Sequence, residues 1–107
     1  MTRFPCPYLH GDVELTEERE QHIAERHPDL LPGERNRIAD TLADPDKVRW
    51  STRFNNARLF TRWFEDWRGG KHVVVVVVTE GSLGRHWIIT AYMARRLAEG
   101  EVEWKRS

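Results

Sequence analysis

Apolar and polar positions along the chain change period near Pro45. Before it they recur every three to four residues, and after it they alternate. Thr16 is a good helix N-cap, and Glu17 and Glu18 behind it favour the positive end of a helix dipole. A first helix is predicted from there to about His27, because Pro28 disfavours helical geometry in the residue before it. A second start lies near Pro32-Gly33-Glu34. It puts Ile38 and Leu42 on one face and ends before Pro45. In residues 47–54 Val48, Trp50 and Phe54 fall on one side, and Lys47, Arg49, Ser51 and Arg53 on the other. That is a half-buried strand with a basic outer face. Asn55-Asn56 reads as a hairpin turn, and Leu59 to Trp67 as a second strand, apolar on both faces. Gly69-Gly70 turns the chain into His72–Thr79, whose valine run marks a central strand buried on both sides. Gly81-Ser82-Leu83-Gly84 turns it again into a fourth strand, Arg85 to Ala94. Residues 100–104 read as an extended closing segment.

Short turns join antiparallel neighbours. The predicted fold is therefore α+β, with two N-terminal helices packed on one face of a four-stranded antiparallel sheet. Half of the valines then face the helices. The other half face solvent, a partner or aromatic side chains. The 107 residues make one domain, 1–107, long enough to bury a core. The single cysteine, Cys6, excludes an internal disulfide and suits a reducing cytoplasm. The longest apolar run, Val73 to Val78, is far too short to cross a bilayer, and the N-terminus has no signal-peptide pattern. No membrane association and no cofactor are expected.

Zero net charge hides an asymmetry. Residues 1–46 hold 5 Lys or Arg against 11 Asp or Glu, and residues 47–107 hold 12 against 6. Either one layer of the fold is basic, or acidic and basic layers attract each other.

Candidate chemistry concentrates in "QHIAERHPDL". On a helix, His22 and Arg26 are four apart and project together. His27 lies about 140° around the axis from His22, so the two histidines are poor joint metal ligands. With one cysteine and no carboxylate cluster, no metal site is expected. The plain alternatives are a solvated face for His22 and Arg26, with Arg26 paired to Glu18, Glu25 or Asp29, and a helix-end role for His27. On the fourth strand, alternation puts His86, Thr90 and Tyr92 on one face, either lining a groove or simply filling a strand. Arg62, on the second strand, is a further groove cation. All five tryptophans fall in the basic half. Interleaved with arginines they can stack on single-stranded nucleic acid, although at least three are expected in the core.

The succession "LTEEREQHIAERHPDL", "IADTLADPDKV", "HVVVVVV" and "ITAY" resembles small phage and bacterial domains of the barnase, EndoU, colicin and RelE-like (BECR) nuclease fold, over roughly residues 13 to 104. The resemblance implies helices followed by a four-stranded antiparallel sheet. It also implies metal-independent RNA cleavage by a prokaryotic toxin or phage-related effector. Such cleavage uses the substrate 2′-hydroxyl and needs an acid, a base and a cation for the phosphorane. Under that reading His22 is an acid/base group and Arg26 binds phosphate. His27 is a second acid/base group or holds the helix, and Thr90 and Tyr92 orient the phosphate. Arg49, Arg53, Arg62 and His86 contact nucleic acid. The partners implied are RNA, and a cognate inhibitor or a second copy docked through the sheet. No lysine lies near this cluster in sequence. The competing expectation is a non-catalytic RNA- or protein-binding module on the same fold.

Overall fold

Two strands precede the helices, where the alternation is shortest. In a computed structural model that describes residues 1–54, 56–81, 84–97 and 100–106, β1 (Thr2–Cys6) and β2 (Gly11–Leu15) form an antiparallel pair. A 3₁₀ turn, Pro7–Leu9, joins them. Phe4, Cys6, Val13 and Leu15 point inward and are buried. Helix α1 (Glu17–Arg26) follows, with Thr16 Oγ1 accepting the Arg19 N–H at 3.2 Å. His27 caps its end and donates its N–H to the Ile23 carbonyl at 2.6 Å. Helix α2 spans Arg35–Ala43, β3 Lys47–Trp50, β4 Ala57–Phe64, β5 Lys71–Glu80, β6 Arg85–Ala94 and β7 Val102–Lys105. The 55–56 and 81–84 turns expected from sequence fall partly on residues outside those described.

The class is α+β, but the four-stranded antiparallel sheet is corrected. The sheet is seven-stranded and mixed, in the order β1-β2-β6-β5-β4-β3-β7. The antiparallel run β3-β4-β5-β6 stands as predicted, flanked by β1 and β2 on one side and β7 on the other. β2 lies parallel to β6 over Val13 opposite His86 and Glu14 opposite Trp87. β1 and β2 carry only two inward apolar residues each, broken by Pro5, Pro7 and Gly11, which is too little for a period to stand out.

The valine strand divides the interior. Val73, Val75 and Val77 join the main core with Phe60, Ile88, Ile23, Ile38 and Leu42. Val74, Val76 and Val78 form a second cluster with Ala57, flanked by Leu59, Trp87, Ile89, Tyr92 and Leu97. Aromatic and aliphatic side chains therefore cover the outer valines. The tryptophan expectation fails. Trp67 is buried, Trp50 and Trp87 are half-buried, and Trp63 and Trp104 are exposed. A cation rests over Trp50, Trp67 and Trp87, from Arg58, Arg37 and Arg85 respectively. Arginine stems and guanidinium planes thus do part of the covering expected of a core.

Two local departures matter for the site. Between Val76 and Val77 the β5–β6 register shifts, so that Val77 faces Ile88 while Val76 faces Thr90. The extra residue, Ile89, breaks the alternation. His86 and Ile88 therefore lie on the helix side, and Thr90 and Tyr92 on the opposite, open side. β3 also ends at Trp50, and residues 51–54 leave the sheet, with Ser51 Oγ accepting the N–H groups of Arg53 and Phe54 at 3.0 Å each. Arg49 is consequently no part of a basic outer face: it is only 5 % exposed.

The sheet curls until its ends meet. Tyr8, next to edge strand β1, donates its hydroxyl to Glu103 of the opposite edge strand at 2.6 Å. Its ring lies 5.8 Å from those of both Phe60 and Trp104.

Candidate functional site

Helix α1 straddles the rim of β6. Ile23 enters the main core, and the Arg19 guanidinium approaches the Ile89 carbonyl at 3.5 Å. The flank of α1 bearing Arg19, His22 and Arg26 (spaced three and four, hence one stripe) is left beside the open face of the sheet. Between this flank, Thr90 and Tyr92 of β6, and Arg53, Phe54 and Asn56 of the β3–β4 connection lies a groove of about 520 Å³. His27 also lines it, its ring 6.1 Å from that of Tyr92. Val78 and Ile89 complete the lining with apolar surface.

All five residues singled out for chemistry from sequence, His22, Arg26, His27, Thr90 and Tyr92, line this one groove. Of the four nucleic-acid contacts, Arg53 lines it too, and Arg49 lines a smaller cavity that shares Arg53, Phe54, Thr90 and Tyr92 with it. Arg62 and His86 are elsewhere. Arg62 bonds Asp44 at the end of α2, 3.1 Å away, and the bulge turns His86 to the far side. Five lining residues, Arg19, Phe54, Asn56, Val78 and Ile89, were not anticipated. Arg19 was visible as the third member of the α1 stripe. Phe54 and Asn56 were not, because Phe54 reads as the inward end of the first strand and Asn56 as part of a hairpin turn, and Val78 and Ile89 read only as strand residues.

The groove is electropositive. Three arginines and two histidines line it, and no carboxylate does. Elsewhere Arg35, Arg37, Arg58, Arg62, Arg68, Arg85 and Arg106 each hold a carboxylate. Most of these pairs join the acidic first half of the chain to the basic second half, so the charge asymmetry is largely spent in holding layers together. Among the described residues, Arg19, Arg26, Arg49 and Arg53 take no part in an ion pair. No hydrogen bond there occupies the side chains of His22, Arg26, His27, Thr90 or Tyr92 either. Burial, then the nearby Arg26 and His22, push the His27 imidazolium to titrate below the ordinary histidine range, so the ring is neutral at neutral pH.

Comparison of the chain with family models, with curated proteins and with solved structures finds no match. Its function rests on its own geometry. Among the described residues no group of three or more His, Cys, Asp or Glu side chains is arranged to hold a metal ion.

A second cluster uses the same residue types differently. From Tyr8 the hydrogen bonds run to Glu103, from Arg58 Nε to Glu103 at 2.8 Å, and from Arg58 to Thr79 Oγ1 at 3.4 Å. The chain ends with Thr79 Oγ1 2.8 Å from His86 Nδ1. Burial and then the Glu103 carboxylate push the Tyr8 hydroxyl up to about 12. Burial opposes ionisation of Glu103, but the bonds from Arg58 and Tyr8 outweigh it and hold the carboxyl below its usual range. Burial, then Arg58, lower the pKa of His86.

Proposed function

We propose that the α1–β6 groove binds RNA and cleaves its phosphodiester backbone without a metal ion. One observation carries this reading: unbonded cationic, imidazole and hydroxyl side chains converge on one groove that no carboxylate lines. Arg26 and Arg53 face the phosphate, arginine being the side chain whose planar fork matches phosphate oxygens. His27, neutral because it is part-buried among cations, suits the base. It takes the 2′-hydroxyl proton as the 2′-oxygen attacks phosphorus. His22 delivers a proton to the 5′-oxygen as the P–O5′ bond breaks, leaving a 2′,3′-cyclic phosphate and a 5′-hydroxyl. Thr90 and Tyr92 donate hydrogen bonds to the non-bridging oxygens, where charge accumulates in the phosphorane.

The test is incubation of the purified protein with mixed RNA in EDTA, beside the His22→Ala, Arg26→Ala double variant. Cleavage by the unaltered protein alone, with cyclic phosphate ends, is the expected result. Intact RNA at high protein concentration, bound in a salt-sensitive manner, moves the reading to a binding module. The rim favours that second reading, because exposed Phe54 beside Arg53 and Asn56 offers a base a stacking surface. An effector of prokaryotic cytoplasm, held by a cognate inhibitor or paired to a second copy through the sheet, is the wider setting of the proposal. No helix among the described residues is long and apolar enough to cross a membrane.

A further inference from the structure

Arg49 is the anomaly of the structure. Its side chain is in the interior, 5 % exposed, and its Nε is buried without a hydrogen-bond partner. Buried guanidinium groups are ordinarily paired and fully bonded, because an unmet charge inside a protein is costly. Among the described residues Arg49 has no carboxylate partner. It instead lines a cavity of about 140 Å³ beside the groove. A water molecule's share of liquid volume is about 30 Å³, so there is room for a tetrahedral oxyanion.

The rest of the lining suits an anion. Arg53 adds a second guanidinium, and no acidic side chain contributes. Ser51 Oγ already accepts two backbone N–H groups, which leaves its O–H free to donate into the cavity. Leu59 and Val76 add apolar lining that strengthens any charge interaction beside it. The cavity is also more enclosed than the groove it adjoins. A more enclosed site suits a terminal group better than a strand passing through.

We propose that Arg49, with Arg53 and the Ser51 hydroxyl, is a binding site for a phosphate monoester. That this monoester is the phosphorylated end of an RNA strand lying in the groove rests on the function proposed above. Phosphate binding itself does not.

The experiment is titration of the full chain with inorganic phosphate, and separately with a nucleoside monophosphate, by calorimetry and by thermal unfolding. Chloride replaces phosphate at equal ionic strength as the control. Arg49→Met keeps an unbranched apolar stem and removes the charge. Arg49→Lys keeps the charge and removes the fork. The unaltered protein is expected to bind both ligands and to melt at higher temperature with them. Arg49→Met is expected to lose phosphate affinity by about 10- to 100-fold, the worth of a charge-assisted hydrogen bond or two. Arg49→Lys should fall between. Without ligand, Arg49→Met should melt no lower than the unaltered protein, since it removes an unmet buried charge. No phosphate-specific stabilisation of the unaltered protein overturns the proposal, and so does equal phosphate binding by the Met variant. If the Met variant fails to fold, the Lys variant and the unaltered protein still decide the matter. Phosphate binding by the unaltered protein while RNA incubated with it stays intact keeps this site and discards the cleavage reading. A nucleoside monophosphate that binds no better than phosphate leaves the anion site and removes the RNA end as its occupant.

Discussion

The two polar clusters of this domain share an inventory and differ in use. The α1–β6 groove holds Arg19, His22, Arg26, His27, Arg53, Thr90 and Tyr92, and the cluster at the curled end of the sheet holds Tyr8, Arg58, Thr79, His86 and Glu103. In the second, every named side chain bonds another member. A carboxylate sits at its centre, and its hydrogen bonds tie the N-terminal segment to β7, β4, β5 and β6. In the first, the hydroxyls and imidazoles bond nothing among the described residues, and no carboxylate is present to neutralise the guanidiniums. Residue types alone do not separate a structural polar network from a receptive site. The state of satisfaction does, since groups already bonded to one another have little to offer a ligand.

The contrast is sharpest in a pair of histidine variants. His22→Ala should cut RNA cleavage by about 10²–10⁴-fold, the usual contribution of a positioned acid or base, with little change in melting temperature. His86→Ala should leave cleavage intact and lower the melting temperature. The reverse pattern, read by an RNA gel and a thermal melt on the same samples, would exchange the roles of the two clusters. Next in size is Glu103→Gln, which leaves Arg58 without its charge partner. A stability loss of up to about 1 kcal/mol is expected in urea unfolding, the usual worth of an ion pair at the surface. An unchanged midpoint removes the structural role of that cluster.

Arg53→Ala should weaken RNA binding and reduce the slope of log affinity against log salt by about one, the signature of one lost phosphate contact. Arg62→Ala, already neutralised by Asp44, should leave the slope unchanged. The smallest effect is in pH. His27, His72 and His86 all titrate below the ordinary value of 6.5 in the folded chain, burial being the leading cause in each. A depressed histidine is neutral in the fold and charged sooner in the unfolded chain, so its stabilisation is present above 6.5 and is lost as pH falls through the lower folded values. Melting temperature should therefore be level above that point and decline below it. His86→Gln should make the decline shallower, and a melt that rises toward acid contradicts the assignment.

Much of this was legible in the chain, for reasons that can be named. Thr16 with its acidic followers set the start of α1, and the four-residue spacing of His22 and Arg26 put both on one flank. The valine run identified β5 as central because only a strand covered on both faces tolerates such a sequence. What stayed hidden was non-local. Two strands with two inward residues each carry no readable period. Nor does local alternation announce a bulge at Ile89, and that single extra residue moved His86 away from Thr90 and Tyr92. Arg49 sits at a position that alternation assigns outward, and only the way residues 51–54 leave the sheet encloses it.

The hydrogen bond from Tyr8 to Glu103 reaches across 95 positions of the chain. A ribosome adds about 5–20 residues per second, so Tyr8 waits on the order of 5–20 s for its acceptor. Every groove residue, the last being Tyr92, is synthesised within that interval. The receptive surface is thus translated before the clasp that closes the sheet. A message cut short just before Glu103 encodes all of the groove but not the carboxylate on which its fastening closes.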